Sequence, residues 1–412
     1  MIQLFFRSIA LIVLLSVSHH GYTAENWPEF RGPNGNGYVA DAKLPTKIDE
    51  SRVAWSVDIQ GKGWSSPIVW GDQIWLTTAT EDGTEMSVVC ISLDNGRELF
   101  RKVLVKNDDP AFCHPMNSYA SPTAAIEDGR VYIHFGAYLT ACLDTENFTA
   151  IWERRDIRCD HHRGPASSPI LHGDKLFVAY DGFDKQFVTA FDKNTGETMW
   201  QRSREINYGT DNGDLKKAYG TGSVIEVNGK DLLIYPSAIA TIAYDPETGD
   251  AVWTAYHSGM NASARPIYED GLVFIINGMG AMVAVRPDGT GDVTKTHIDW
   301  SSQRSVAKKS SALVIDGNLY MNSDDGIVTC RNSKSGELIW QERIGGKYAA
   351  SPIFAGGNIY CFGMGGEVVV FRPGSEFNLT SESKIGDGFM ASPAVVGNTL
   401  ILRSKSKLFC VR

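Results

Sequence analysis

One eleven-residue segment constrains this chain more than any other: Ala190-Phe191-Asp192-Lys193-Asn194-Thr195-Gly196-Glu197-Thr198-Met199-Trp200. Its first two residues end a strand, residues 192–196 carry tight-turn chemistry, and residues 198–200 begin the returning strand. Gly196 suits the end of that turn because glycine tolerates positive φ. The unit is a β-hairpin, and it recurs. Ala243-Tyr244-Asp245-Pro246-Glu247-Thr248-Gly249, running on to Trp253, is a second copy, and Cys330-Arg331-Asn332-Ser333-Lys334-Ser335-Gly336, running on to Trp340, is a third. Looser copies run from Leu93-Asp94-Asn95-Gly96 to Phe100 and from Cys142-Leu143-Asp144 to Trp152.

Each hairpin follows a second landmark, a Ser-Pro or its degenerate form, then an apolar run, a turn glycine and another apolar run. The positions equivalent to the proline are Pro67, Pro122, Pro169, Val224, Pro266, Ala312, Pro352 and Pro393. The following glycines are Gly71, Gly129, Gly173, Gly229, Gly271, Gly317, Gly357 and Gly397. Eight units of roughly 40 to 55 residues, at four strands each, have the period of propeller blades. The predicted fold is all-β: an eight-bladed β-propeller of four-stranded antiparallel blades.

The last unit runs out before its outer strand, which would leave an open sheet edge. Residues 52–58, with Trp55 among them, resemble the tryptophan-bearing outer strands. They are expected to pair beside residues 408–412 and close the ring. Length alone would suggest two or three domains, but a continuous repeat makes 51–412 one.

Residues 1–24 read as a secretory signal: Arg7 precedes an apolar run over 9–17 that is too short to span a bilayer, and the cut falls after Ser18 or Ala24. No cysteine lies near it for a lipid anchor, so the mature chain is expected in the periplasm or outside the cell. Residues 25–37 are too rich in proline and glycine for regular structure, yet Trp27 and Phe30 suit an arm, residues 25–50, docked on the propeller. The net charge is −9, becoming −10 without Arg7. With no basic stripe, that balance argues against nucleic acid and anionic membrane surfaces as partners. A monomer with a protein or small-molecule partner is expected.

Long connections at 101–118, 153–164, 201–219, 254–261 and 294–308 should project from one face, where a rigid scaffold carries function. His114, His161, His162, His257 and His297 fall in them, with His134 near by and His172 opposite. Partner contacts are expected at Tyr119, Asp160, Arg163, Asp211, Asp214 and Lys216. Asp211, Asn212 and Asp214 could offer oxygen to Ca²⁺, but the twelve-residue loop with a closing Glu is missing, and pairing with Lys216 and Lys217 explains the acidic turn as well.

Five of the seven cysteines read as small buried apolar residues: Cys142, Cys330 and Cys410 in the slot of Ala190, Cys90 two residues upstream of it, and Cys361 in a second strand. Cys113 and Cys159 sit in adjacent connections, nine and ten residues before Pro122 and Pro169. They suit a disulfide or free thiols. Alternatively, with His114, His161 and His162 they suit Zn²⁺ or copper, although the spacing matches no metal-site signature. Trp152, Trp200, Trp253 and Trp340 recur at one repeat position and read as sheet-to-sheet packing.

The Ala-Phe-Asp-x-x-Thr-Gly-x-x-x-Trp unit closely resembles the repeat of pyrroloquinoline-quinone (PQQ) propellers, the quinoprotein alcohol dehydrogenase-like group. That group includes PQQ-like repeat proteins of the BamB type, commonly eight-bladed, and the likeness covers nearly all of 51–412. The opening Trp27-Pro28 to Arg31-Gly32-Pro33 also looks like a branch of secreted PQQ-like repeat proteins. The resemblance implies PQQ, held in the dehydrogenases by an adjacent Cys-Cys disulfide, a stacking Trp and Ca²⁺ beside a catalytic Asp. No two cysteines are adjacent here, and no Cys-x-x-Cys-His haem site or kinase motif is present. BamB is a lipoprotein, and this chain shows no anchoring Cys. No catalytic or cofactor-binding residue is therefore assigned. The leading expectation is a binding or assembly scaffold without cofactor. The alternative is a divergent quinoprotein oxidoreductase, or a metal enzyme built on the Cys113, His114, Cys159, His161 and His162 set.

Overall fold

An isolated hairpin leaves two open edges, so each copy is stable only as part of a wider sheet packed on its neighbours. The computed structural model describes residues 25–412 and shows eight such sheets. Blades 1 to 7 span 68–106, 125–154, 170–203, 223–256, 267–302, 313–343 and 353–384; blade 8 joins 394–411 to Val53–Asp58. Within blades 1 to 7 the four strands pair in chain order, and in every blade the short first strand faces the axis, where neighbouring blades touch. Predominantly apolar clusters fill the spaces between blades.

Register explains the repeat. In all eight blades the pairing of third and outer strands shifts at one place, beside the pair Ala190 and Trp200 or its equivalent. The slot pairs include Cys142 with Trp152, Cys330 with Trp340, Cys410 with Trp55, and Ala284 with Trp300. A small residue there lets the indole lie over the sheet towards the next blade. Trp152, Trp200, Trp253, Trp300, Trp340 and Trp55 each donate Nε1–H to a carbonyl in the next blade's hairpin turn, at 2.8–3.0 Å. The turn glycine is required by the same contact: Gly196 has φ +74°, and a Cβ there would lie 2.6 Å from the Trp152 ring. Blade 1 substitutes Phe100, stacked on Phe148 at 4.6 Å.

Three sequence expectations are corrected. Cys90 occupies the slot itself, opposite Phe100, because the turn glycine Gly96 closes on the Ser92 carbonyl as Gly196 closes on that of Asp192. In blade 2 the equivalent of Pro67 is Ala124, since Ala125 pairs with Tyr132 as Ile68 pairs with Trp75. The stretch 294–308 is not all connection, since Ile298–Ser302 is the outer strand of blade 5. An enlarged hairpin precedes that strand, its Gly291–Asp292 pairing with the outer strand of blade 4, so His297 belongs to the turn face.

Closure is as expected: Val53–Asp58 pairs antiparallel with Lys407–Val411. Upstream, residues 25–37 cross the axial channel on the turn side. Trp27 exchanges backbone hydrogen bonds with Val69 at 2.8 Å, and Ile126 N–H donates to the Pro28 carbonyl at 2.8 Å. Buried Arg31 donates to the carbonyls of Pro352 (3.1 Å), Ala312 (2.7 Å) and Asn36. The chain then pairs Tyr38–Val39 in parallel with blade 7 and buries Ala42, Leu44 and Ile48. This strip lies where blade 7 has Ser381 in the tryptophan slot, and Ser381 Oγ–H donates to the Thr46 carbonyl. The arm supplies the apolar contact that the missing indole supplies elsewhere. The proposed signal, residues 1–24, lies outside the described residues.

Candidate functional site

The connections between blades and the loops between second and third strands gather on one face, around the axis. The cavity at their centre has a volume of about 320 Å³. Its base is a ring of hydroxyls, which explains why serine precedes the repeated proline. Ser66 N–H donates to Thr123 Oγ1, Thr123 N–H to Ser168 Oγ, and Ser168 N–H to Thr221 Oγ1, at 2.9–3.0 Å. After a gap, Arg265 N–H donates to Ser311 Oγ, Ser311 to Ser351, Ser351 to Ser392, and Ser392 back to Ser66, again at 2.9–3.0 Å.

The gap falls where Arg265 replaces the serine. Its guanidinium turns to the arm, donating to Glu29 Oε1 at 2.7 Å and to the Phe30 carbonyl at 2.5 Å. Burial pushes the Glu29 carboxyl up despite the opposing Arg265 charge. Phe30 reaches through to line the cavity, so the arm is its floor from below. Trp64, Tyr219, Met116, Met279 and Met390 supply apolar wall, and Arg163, Lys308 and Lys309 supply cations.

The structure separates the five proposed metal ligands. Cys113 Sγ lies near the carbonyls of His114 (3.9 Å) and Arg163 (3.8 Å), whereas Cys159 Sγ faces the Lys185 carbonyl (3.9 Å). Both thiols are free in the structure, one of the two states the sequence allows for them. Burial raises their pKa values to about 11 and about 12, which keeps both protonated at neutral pH. His114 faces the axial cavity and accepts at Nδ1 from Met116 N–H (3.1 Å). His161 is stacked near Tyr180 at 6.3 Å, and His162 lies between Phe183 (4.3 Å) and Phe112 (5.3 Å). Among the described residues no three His, Cys, Asp or Glu side chains form a metal-holding group.

The expected partner contacts divide in two. Tyr119 is buried and donates its hydroxyl to the Ala111 carbonyl (2.7 Å), while Arg163 pairs with Asp214 (2.7 Å) across adjacent connections. Asp160 and Asp211 are exposed and Lys216 is half-exposed. Asp160 Oδ1 accepts from His162 N–H (2.8 Å), and Asn212 caps a short turn by accepting from Asp214 N–H (3.0 Å). Lys217 does not join the acidic turn: it is fully buried, 3.5 Å from the Asp181 carbonyl and over the Tyr219 ring. Burial lowers its ammonium pKa to about 8.

Sequence reasoning missed the hydroxyl ring, Glu29 and Arg265. The serine recurs in the sequence as part of the Ser-Pro landmark, but nothing within one repeat shows that its hydroxyl meets the backbone of the neighbouring blade. The cavity lining does not fit PQQ held with Ca²⁺: it contains no carboxylate to take the cation, and no cysteines are adjacent in the chain.

Residues 184–412 match the family model described as outer membrane protein assembly factor BamB. The chain is similar to the outer membrane protein assembly factor BamB of Yersinia pestis, 28% identical over 181 residues, or 43% of each protein. BamB of Legionella pneumophila is 24% identical over 204 residues, 47% of each. The matches thus span less than half the length of these curated relatives. Among solved structures, the quinohemoprotein alcohol dehydrogenase from Comamonas testosteroni superposes with a TM-score of 0.70 at 11% identity, covering 95% of this chain and 81% of that one. BamB from Moraxella catarrhalis superposes with a TM-score of 0.62 at 16% identity, covering 87% and 99%. These two likenesses establish the fold. Because the family model takes in more than half of the sequence and the repeat runs through all eight blades, the chain belongs to the BamB family of PQQ-like repeat propellers.

Proposed function

We propose that the chain is an exported scaffold that joins protein partners through its loop-rich face, in the manner of the assembly factors its family description names. One asymmetry carries this reading. Phe112, Met116, Leu215 and Met279 are exposed on the loop-rich face, whereas the turn side of the axis is sealed by the chain's own arm. Exposed apolar side chains rimmed by polar ones suit a protein interface. The polar rim here includes Asp160, Asp211 and Lys216, the residues we assign to partner contact. Tyr119, Arg163 and Asp214 hold the loops in shape around them. Among the described residues no helix is long and apolar enough to cross a membrane.

The test is photo-crosslinking from position 112 in native envelope extract. A specific crosslinked protein is expected, and a Phe112→Glu, Leu215→Glu variant, purified and compared by pull-down, should retain less than a tenth of it. Ile339→Glu, on an outer strand away from the face, should retain all of it. Unchanged capture by the double variant would overturn the proposal.

A further inference from the structure

The hydroxyl ring has an unused half. Each of its seven oxygens accepts one backbone N–H from the preceding blade, and none of the seven donates its own hydrogen to an acceptor among the described residues. Six of them line the axial cavity. A hydroxyl has one O–H and two lone pairs, and with one lone pair engaged by an N–H its O–H is still free to donate, so the base of the cavity offers six O–H donors around the axis.

The surroundings have the same polarity. Arg163, Lys308 and Lys309 are among the lining residues, and no aspartate or glutamate is, in a chain whose net charge is −9. Asp214 and Asp324 neutralise Arg163 and Lys309 from outside the lining, but the Lys308 ammonium has no partner among the described residues. Three polar atoms of lining residues are buried and unpartnered: the donors Trp64 Nε1 and Arg163 Nε and one acceptor, Asn261 Oδ1, whose amide presents its NH₂ instead when turned over. Convergent donors and cations stabilise negative charge, and a cation entering this site would find no carboxylate.

The remaining wall is apolar and adaptable. Phe30, Trp64 and Tyr219 give flat surfaces, and Met116, Met279 and Met390 give flexible thioethers that conform to irregular shapes. A volume of about 320 Å³ falls at the lower end of the size range of small-molecule pockets, roughly 300–1,000 Å³.

We propose that the axial cavity binds a small organic anion: a carboxylate or other oxyanion head on the hydroxyl ring, with an apolar body against Trp64, Phe30 and the methionines. The inference rests on the ring and the cavity above it and does not require partner docking on the rim, although Met116 and Met279 belong to both surfaces. The head could come from a free acid or from the C-terminus of a peptide.

Isothermal titration calorimetry with three matched probes tests it: 3-phenylpropionate, 3-phenylpropan-1-ol and 3-phenylpropylamine share one apolar body and differ in charge. The acid should bind at one site per chain, with the alcohol and the amine at least tenfold weaker. Lys308→Glu should weaken the acid at least tenfold and leave the alcohol unchanged. Ser351→Ala should weaken the acid also, its folding checked by melting temperature; Lys308, being exposed, keeps the test available if that variant does not fold. Gly-Gly-Phe against its C-terminal amide identifies the source. Binding of the free tripeptide alone assigns a chain end, and its exclusion while phenylpropionate binds assigns a free acid. No saturable binding of the acid, equal binding of acid and alcohol, or an indifferent Lys308→Glu would overturn the proposal.

Discussion

Replacing Trp27 by alanine tests whether the arm is part of the cooperative fold or an ornament on a complete ring. The indole is 0% exposed, and it lies against Gly32, where a Cβ would come within 2.8 Å of the ring. Its Nε1 has no hydrogen-bond partner, so truncation removes apolar contact without orphaning an acceptor. The backbone bonds to Val69 survive in principle, because they belong to the main chain. Emptying a fully buried tryptophan site costs roughly 3–5 kcal/mol. At roughly 2.1 cal/mol/K per residue, about 390 ordered residues have an unfolding entropy near 0.8 kcal/mol/K, so the melting temperature should fall by roughly 4–6 °C. Differential scanning calorimetry reads this directly, with Phe112→Ala as the control, because Phe112 is 55% exposed and its loss should move the transition little. A Trp27→Ala transition within about 1 °C of the parent would refute the arm as an axial plug.

Two further outcomes follow from buried charge. His134 is buried beside Thr140 (2.9 Å), and burial lowers its pKa from 6.5 to about 3; burial also depresses His161, helped by Lys217. His134 is neutral in the fold, so its stability contribution is intact above pH 6.5 and is lost as pH falls towards 3, and His161 acts in the same direction. His134 should cost roughly 1 kcal/mol per pH unit below 6.5, read as a falling urea midpoint from pH 7 to 5 that His134→Gln makes shallower; an unchanged slope would contradict the burial. Arg265→Ser restores a hydroxyl to the ring but strands the Glu29 carboxylate, and breaking such a buried pair costs roughly 3–5 kcal/mol. Glu29→Gln with Arg265→Ser should recover most of it in denaturant titration, and a double variant no better than the single would show that the pair is not the reason.

What the sequence determined is the part of the molecule that repeats. A small residue, a turn glycine and a tryptophan at fixed spacing are local chemistry, and each blade solves the same local problem, so the hairpins, the blade number and the closing strand at Trp55 were legible from spacing. Where a blade departs from the repeat, spacing misleads: Pro122 stands two residues off register, and the enlarged hairpin of blade 5 reads as a connection. Only the tertiary structure decided what meets across the axis. Cys113, His114, Cys159, His161 and His162 are neighbours in loops, yet their sulfur and nitrogen atoms face different packing. Glu29 and Arg265 are distant in sequence and paired in space. The ring of serine and threonine hydroxyls exists only when eight blades stand in a circle, because each hydroxyl oxygen accepts from the backbone of the neighbouring blade and from nothing within its own unit.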